Sequence, residues 1–455
     1  MMTNKLNDYE LALLIAKKVK EIGGNVYFVG GYVRDKLLGI DNKDIDIEVH
    51  GITPNQLENI LDTIGERIFF GESFGVYSLK GSSIDIAMPR KEKLRGVKHT
   101  DFDITVDPFI GTYQAAIRRD FTINALMQDV ITGEVIDHFN GVSHLENKII
   151  KHINEETFIE DPLRVLRAAQ FAARFGFEID IETINLCKRM DITQLAKERI
   201  EEELKKALVK SKKPSIFFEE LRRMNQLDYW FKEVKDLIGV EQNPKHHSEG
   251  DVWVHTMMVL DEGVKYLDKI NDHYPFMLSC LTHDFGKVVC TKIINGEIKS
   301  IGHEIEGLPI VKQFVSRLTN DKKTMEYVLN LTKLHMKPHT LAADNSSIKA
   351  TNRMFDEAID PIALICIAIA DSKGKIAPRV YISNDQFLYS RLDIYNEYMS
   401  KPYVTGKDLI DNGLNPGKNF SDLLNYAHKL RLAGIDKKSA LKQTISYARK
   451  YPEYK

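Results

Sequence analysis

Val29-Gly30-Gly31-Tyr32-Val33-Arg34-Asp35, followed a short way on by Asp44-Ile45-Asp46-Ile47-Glu48-Val49, decides how this chain folds. The apolar run Val26–Val29 predicts a short strand ending on two glycines, and Tyr32 to Leu38 then takes helical spacing. Glycine lets backbone amides come close to a phosphate, and a helix N-terminus adds partial positive charge. Arg34 sits one turn into that helix, near where a triphosphate would lie. Asp44 and Asp46 are alternate residues of the next strand, expected over Asp44–Val49, so both carboxylates point to one face. Two acids side by side repel unless cations neutralise them, and two magnesium ions bridging them to a triphosphate would do so. Glu48 continues that face. Asp85, on the extended run Ile84–Met88, is a third candidate carboxylate.

Around this stretch the chain reads as a mixed α/β region. A helix is expected over Asp8–Ile22, stopped by Gly23-Gly24, and another from Pro54 to Ile64; extended runs lie at Arg67–Phe70 and Val76–Leu79. From Pro162 onward helix predominates, in amphipathic stretches such as Pro162–Phe175 and Arg199–Val209. One hairpin is expected there, at Thr291–Ile301, where Asn295-Gly296 marks the turn. At 455 residues, 43% hydrophobic and 28% charged, the chain is an ordinary globular sequence too long for a single core. No apolar run is long enough to span a bilayer and no signal-peptide cleavage pattern opens the sequence, so a cytoplasmic protein is expected. Four scattered cysteines suggest neither a disulfide framework nor a zinc knuckle. A net charge of −2 leaves a nucleic-acid partner open, because such binding depends on local patches.

Gly30-Gly31 followed by Asp44-Ile45-Asp46 resembles the signature of polymerase-β-like nucleotidyltransferases. The longer string is similar to the bacterial class II tRNA nucleotidyltransferases, the CCA-adding enzymes and their poly(A) polymerase relatives. Arg118-Arg119-Asp120-Phe121-Thr122-Ile123-Asn124-Ala125 resembles that family's RRDxxxNA motif, and Glu160-Asp161-Pro162-Leu163-Arg164 its EDxxR motif. The resemblance covers residues 20 to 210. It implies that Arg119 forks onto phosphate with Arg34, and that Asp120 accepts from a ribose hydroxyl. It also implies Mg2+ in the head, tRNA, CTP and ATP as partners, and neither DNA nor membrane. Asp161, Arg164 and Arg167, three apart on what reads as one helix face, would pair with the edge of cytosine or adenine as a base would. The segment Pro89–Asp107, with Arg90, Lys91, Glu92 and Lys93, resembles the family's flexible loop, which leans the reading toward full CCA addition over an A-adding enzyme or poly(A) polymerase.

The second half carries a different pattern. His283-Asp284, within Leu281–Lys287, resembles the HD phosphohydrolase motif, with His255 and Asp371 completing the H…HD…D set. His303 and His335 fall where two-metal members of that class carry extra ligands. The resemblance implies a divalent metal there, Mg2+, Mn2+ or Ni2+. His246, His247, His273 and His339 read as structural. A transferase with such a domain resembles the multifunctional CCA proteins of bacteria; the rival from another class is a phosphohydrolase whose head only binds RNA. In the tail, Lys407, Lys418, Lys429 and Arg431 are candidates for tRNA phosphates. The expected architecture is therefore an α/β polymerase-β-like head (residues 1–140) followed by an all-α neck (141–210), body (211–245), HD domain (246–380) and tail (381–455).

Overall fold

The computed structural model describes residues 6–69, 76–94, 102–376, 385–417 and 420–450, the side chains of 69, 92–94 and 102–104 excepted. The chain divides into two compact units, residues 1–203 with 216–226, and residues 204–215 with 227–455.

The first unit is built on strands β1 (Asn25–Val29), β2 (Asp46–His50), β3 (Arg67–Phe69), β4 (Val76–Leu79), β5 (Asp85–Ala87), β6 (Arg90–Leu94), β7 (Phe102–Val106), β8 (Met127–Asp129) and β9 (Val135–Ile136). Seven of these form one mixed sheet in the order β3-β4-β5-β2-β1-β8-β9. β2 and β5 run parallel and all other neighbours antiparallel. The helix Asp8–Glu21 buries Leu11, Ile15 and Val19, one apolar residue per turn, and starts on a capping box between Asn7 and Glu10. Gly30 takes φ +64, a left-handed conformation that lets the chain turn from β1 directly into the helix Gly31–Leu37. β6 and β7 pair antiparallel, so the expected flexible loop is a hairpin ladder along much of its length. The strand expected from Asp44 begins at Asp46, and Asp44 lies in the irregular approach to it. The neck helix spans Leu163–Phe175 and ends on Gly176 at φ +68, a left-handed C-cap. A short parallel pair, Ile149–Ile150 with Glu178–Ile179, was not legible in the sequence.

Among its described residues the second unit is helical apart from the expected hairpin, Lys292–Ile294 with Glu297–Lys299. Its central helices Val252–Gly263, His273–Thr282 and Pro361–Lys373 are apolar nearly all round. In the last of these, Ala363 to Asp371 are all buried, and Asp371 is the one acid among them. A helix buried on every side belongs to the middle of a bundle, so any charged group it carries must find its partners inside.

Candidate functional sites

The head brings its carboxylates together by sheet register. Asp46 of β2 stands directly opposite Asp85 of β5, and Asp44 lies two residues before it, beyond the buried Ile45, near enough for its charge to act on Asp46. Neighbouring strands lie about 5 Å apart, so the acids repel one another at close range. Burial, followed by Asp85, pushes the Asp46 carboxyl up to about 6, against the pull of Arg119, with Asp44 adding to the rise. A carboxylate cluster with so little positive charge of its own fits divalent cations. The Gly30 turn closes the other side: a Cβ on Gly30 would lie 3.2 Å from Arg119 Nη1 and 4.0 Å from Asp46 Oδ2.

The arginines divide into open and braced. Arg119 keeps 24% of its side chain exposed, with Nη1 3.5 Å from the Asn124 carbonyl and Nη2 3.5 Å from Glu48. Arg34, expected at the triphosphate, is 4% exposed instead. Its Nε donates to Asp35 at 2.7 Å and its Nη1 to Asn124 at 2.6 Å, and its guanidinium lies over the rings of Phe171 and Phe175. Arg34 thus joins the Gly-Gly helix to the neck. Asp120 is similarly filled: Oδ1 accepts from Phe121 N and Asn124 Nδ2, and Oδ2 accepts from Nε and Nη2 of Arg167 at 2.7 and 2.6 Å. Burial alone would raise the Asp120 pKa, but Arg167 and Asn124 hold it below the usual range. With four acceptor sites occupied, a ribose hydroxyl must displace one of these donors.

Asp161 lies ahead of the neck helix and accepts from the Leu163 amide at 3.1 Å, so its three-residue spacing from Arg164 is not a shared helix face. Arg199, which sequence reasoning did not single out, donates to it at 2.9 Å. Arg164 donates to the carbonyls of Thr157 (2.7 Å) and Arg118 (2.6 Å). Each guanidinium nitrogen of that contact carries a second N–H, so Arg164 keeps donor capacity.

In the helical unit His255, His283, Asp284, His303, His335 and Asp371 are all buried. Nε2 of His255 lies 3.1 Å from Asp371, and Nε2 of His283 and His303 lie 3.3 and 3.1 Å from Asp284. Nδ1 of His283, His303 and His335 each meets the carbonyl three residues upstream, at 2.9, 2.8 and 2.6 Å, and Nδ1 of His255 meets the Gly374 carbonyl at 3.1 Å. A carbonyl only accepts, so each Nδ1 carries a proton and each Nε2 is the nitrogen left to face the aspartates, either as a lone pair on a metal or, without one, through a second proton, the arrangement of metal-ligating histidine. The Nε2 atoms of His303 and His335 are 3.2 Å apart, which calls for a cation or a shared proton between them. In keeping with this, burial and the neighbouring rings of His283 and His303 hold the His335 pKa well below its ordinary value, while Asp284 raises that of His303 against burial. Burial would raise both aspartates, but His283 and Lys287 beside Asp284, and Lys375 and His255 beside Asp371, hold them well below the carboxylate range. Gly286 makes the gathering possible, because a Cβ there would lie 2.0 Å from the His303 carbonyl.

Two histidines read as structural belong to this neighbourhood. His339 Nε2 is 2.9 Å from Asp371, and the His247 ring packs edge-on to His255 at 4.9 Å. No spacing in the sequence ties either to the HD pair; His246, by contrast, is exposed. In the tail Arg431 is partly buried and donates to the carbonyls of Tyr398, Met399 and Lys401, holding a helix end. Lys407 and Lys429 are exposed, and Lys418 lies outside the described residues.

A strand, a Gly-Gly turn into a helix, and acids in register on two parallel strands define a polymerase-β-like nucleotidyltransferase head. A family model described as the poly A polymerase head domain matches residues 26–151, and one described as a probable RNA and SrmB-binding site of polymerase A matches residues 176–238. The multifunctional CCA protein of Actinobacillus pleuropneumoniae serotype 5b (strain L20) is 35% identical over 324 residues, 70% of this chain and 76% of that protein. The multifunctional CCA protein of Haemophilus ducreyi is 33% identical over 363 residues, 76% of this chain and 85% of that protein. The chain therefore belongs to the CCA-adding enzyme and poly(A) polymerase family of nucleotidyltransferases. Its fold is that of the Bacillus stearothermophilus CCA-adding enzyme in complex with CTP (TM-score 0.67, 18% identity, 98% of this chain and 99% of that one). The Thermotoga maritima CCA-adding enzyme complexed with tRNA is similar as well (TM-score 0.63, 20% identity, 98% and 97%). No helix among the described residues is long and apolar enough to cross a membrane.

Proposed function

We propose that this chain adds C and A to the 3′ end of tRNA without a nucleic-acid template, taking CTP and ATP and releasing pyrophosphate. The observation that carries the reading is the register of Asp46 opposite Asp85, with Asp44 alongside, facing the Gly30-Gly31 turn. The names of the relatives and the bound CTP and tRNA of the similar structures support it. The RNA 3′-oxygen attacks the α-phosphorus, the bond to the bridging oxygen of the β-phosphate breaks, and the hydroxyl proton passes to solvent. Asp44, Asp46 and Asp85 would hold magnesium, which lowers the hydroxyl's pKa and stabilises the leaving oxygen when bound. Arg119 is the guanidinium open to the triphosphate, while Arg34 and Asp120 brace the turn and Arg167. Asp161 and Arg164 present an acceptor and donors to the base edge, a set that suits cytosine and adenine and leaves uracil or guanine with unpaired groups.

Residues 246–380 form a second proposed site, a metal-dependent phosphohydrolase. Four histidines with Nδ1 tied to carbonyls and Nε2 turned to two aspartates favour it. A divalent metal there would activate water for attack on a phosphoester. Purified protein given tRNA lacking its terminal CCA, with CTP and ATP separately and together, tests the first reading. Addition of C-C with CTP alone and C-C-A with both is expected. Long A tails from ATP alone would make it a poly(A) polymerase, and no addition at all, beside hydrolysis of phosphoesters, would leave the head as an RNA-binding module.

A further inference from the structure

We propose that Glu48 is a positioning residue of the nucleotide site, holding Arg119 over the Gly30-Gly31 turn and off the carboxylate of Asp46. The inference rests on the reading of the head as that site. Asp46 and Glu48 are alternate residues of β2 and leave the same side of the sheet. They differ in surroundings: Glu48 is 8% exposed, whereas Asp46 is only partly covered. The two oxygens of Glu48 have separate duties. Oε1 accepts from His50 Nε2 at 2.7 Å, and Oε2 faces Arg119 Nη2 at 3.5 Å. His50 is itself buried and stands edge-on to the Tyr27 ring at 5.2 Å, on the strand where Tyr27 pairs with Glu48. The carboxylate is thus held from behind, with its second oxygen toward Arg119.

Arg119 also stands near Asp46, because its Nη1 and Asp46 Oδ2 border the same point beside Gly30, 3.2 and 4.0 Å from where a Cβ would stand. A guanidinium forks readily onto a carboxylate, and in a half-buried site it would settle bidentate on the nearest one. Were that Asp46, the ion pair would occupy the oxygens a cation needs and turn the guanidinium away from Gly30. Glu48 supplies a counter-charge whose two oxygens are already engaged, one by His50 and one by Arg119. With Nη2 drawn to Glu48, Nη1 comes to rest beside Gly30, 3.2 Å from where a Cβ would stand. That is the place where a phosphate approaching the turn amides would meet it. The remaining exposed quarter of the side chain is then the face offered to substrate.

The test is a double-mutant cycle on the full chain, Glu48→Gln with Arg119→Ala. The dissociation constant of magnesium-CTP is measured by calorimetry without RNA, alongside kcat and KM for addition to tRNA lacking CCA. Glu48→Gln should raise the dissociation constant and KM about tenfold, the usual effect of losing one charge-assisted hydrogen bond, while kcat changes less than about threefold. The loss should be larger at low magnesium than at saturating magnesium. In the Arg119→Ala background the same change at Glu48 should add nothing further. Additive effects in the cycle, or an unchanged dissociation constant in a variant that has merely lost thermal stability, would overturn the proposal and make Glu48 a structural acid. Wild-type protein inert toward CTP and ATP would overturn the reading of the head, and this inference with it.

Discussion

Replacing Asp46 by Asn should make the metal-free protein more stable near pH 7.5 while removing nucleotide addition. In the unfolded chain the Asp46 carboxyl titrates near its ordinary 3.8, and in the folded protein near 6, because burial and then Asp85 oppose its charge. The folded state therefore binds this proton more tightly than the unfolded state does. Ionisation penalises the fold: the penalty is absent below about pH 4, grows up to about pH 6, and is complete above that. Two units correspond to about 3 kcal/mol, and partial exposure of the group screens this to about 1–2 kcal/mol. Asn keeps the shape and removes the charge. Urea or thermal unfolding in EDTA, with wild type and Asp46→Asn side by side, should show a gap near pH 7.5 that shrinks toward pH 5. Magnesium should narrow the gap at the higher pH by stabilising the wild type alone. A variant no more stable than wild type near pH 7.5, or a gap of equal size at both pH values, would refute the argument that the cluster is electrostatically strained without cations.

Asp161→Ala and Arg164→Ala should each relax discrimination against UTP and GTP by roughly tenfold, since one unpaired polar group at the base edge costs about 1–3 kcal/mol; misincorporation assays that find selectivity unchanged while the rate falls would make both residues supports. Asp284→Asn should abolish metal-dependent hydrolysis of 2′,3′-cyclic nucleotides and leave CCA addition intact, and joint loss of both activities in a folded protein would sink the two-site reading. Gly286→Ala should weaken metal retention in the helical unit, because a Cβ 2.0 Å from the His303 carbonyl forces that turn away from Asp284; metal content equal to wild type, measured by atomic emission, would contradict this.

Much of the head was legible because its signals are local. The strand, the glycine pair and the acids fall within one short stretch, although Asp44 proves to precede the strand rather than to share it. Less visible were the partners supplied by distant segments. Nothing near Arg34 announces Phe171 and Phe175, and nothing near Asp161 announces Arg199. Charged motif residues looked free for substrate when several are engaged with one another, Asp120 with Arg167 being the clearest case. In the helical unit the HD pair, His255 and Asp371 stood out through their resemblance to an ordered H…HD…D set. His339 and His247 did not, because only the tertiary packing of their segments brings them beside Asp371 and His255.

The tie between histidine Nδ1 and the carbonyl three residues upstream has one more consequence. His283 stands at the C-cap of the helix His273–Thr282, and His335 at that of Lys322–Leu334, where the last carbonyls lack amide partners. Each ring takes over one of those orphaned acceptors, so proposed ligand and helix stop are the same side chain. Replacing either histidine would remove a proposed metal ligand and let the helix end fray in the same stroke, so the two losses coincide in the variant. Asp284 caps no helix; its carboxylate is instead paired with Lys287 at 2.7 Å, so a change there leaves both helix ends tied.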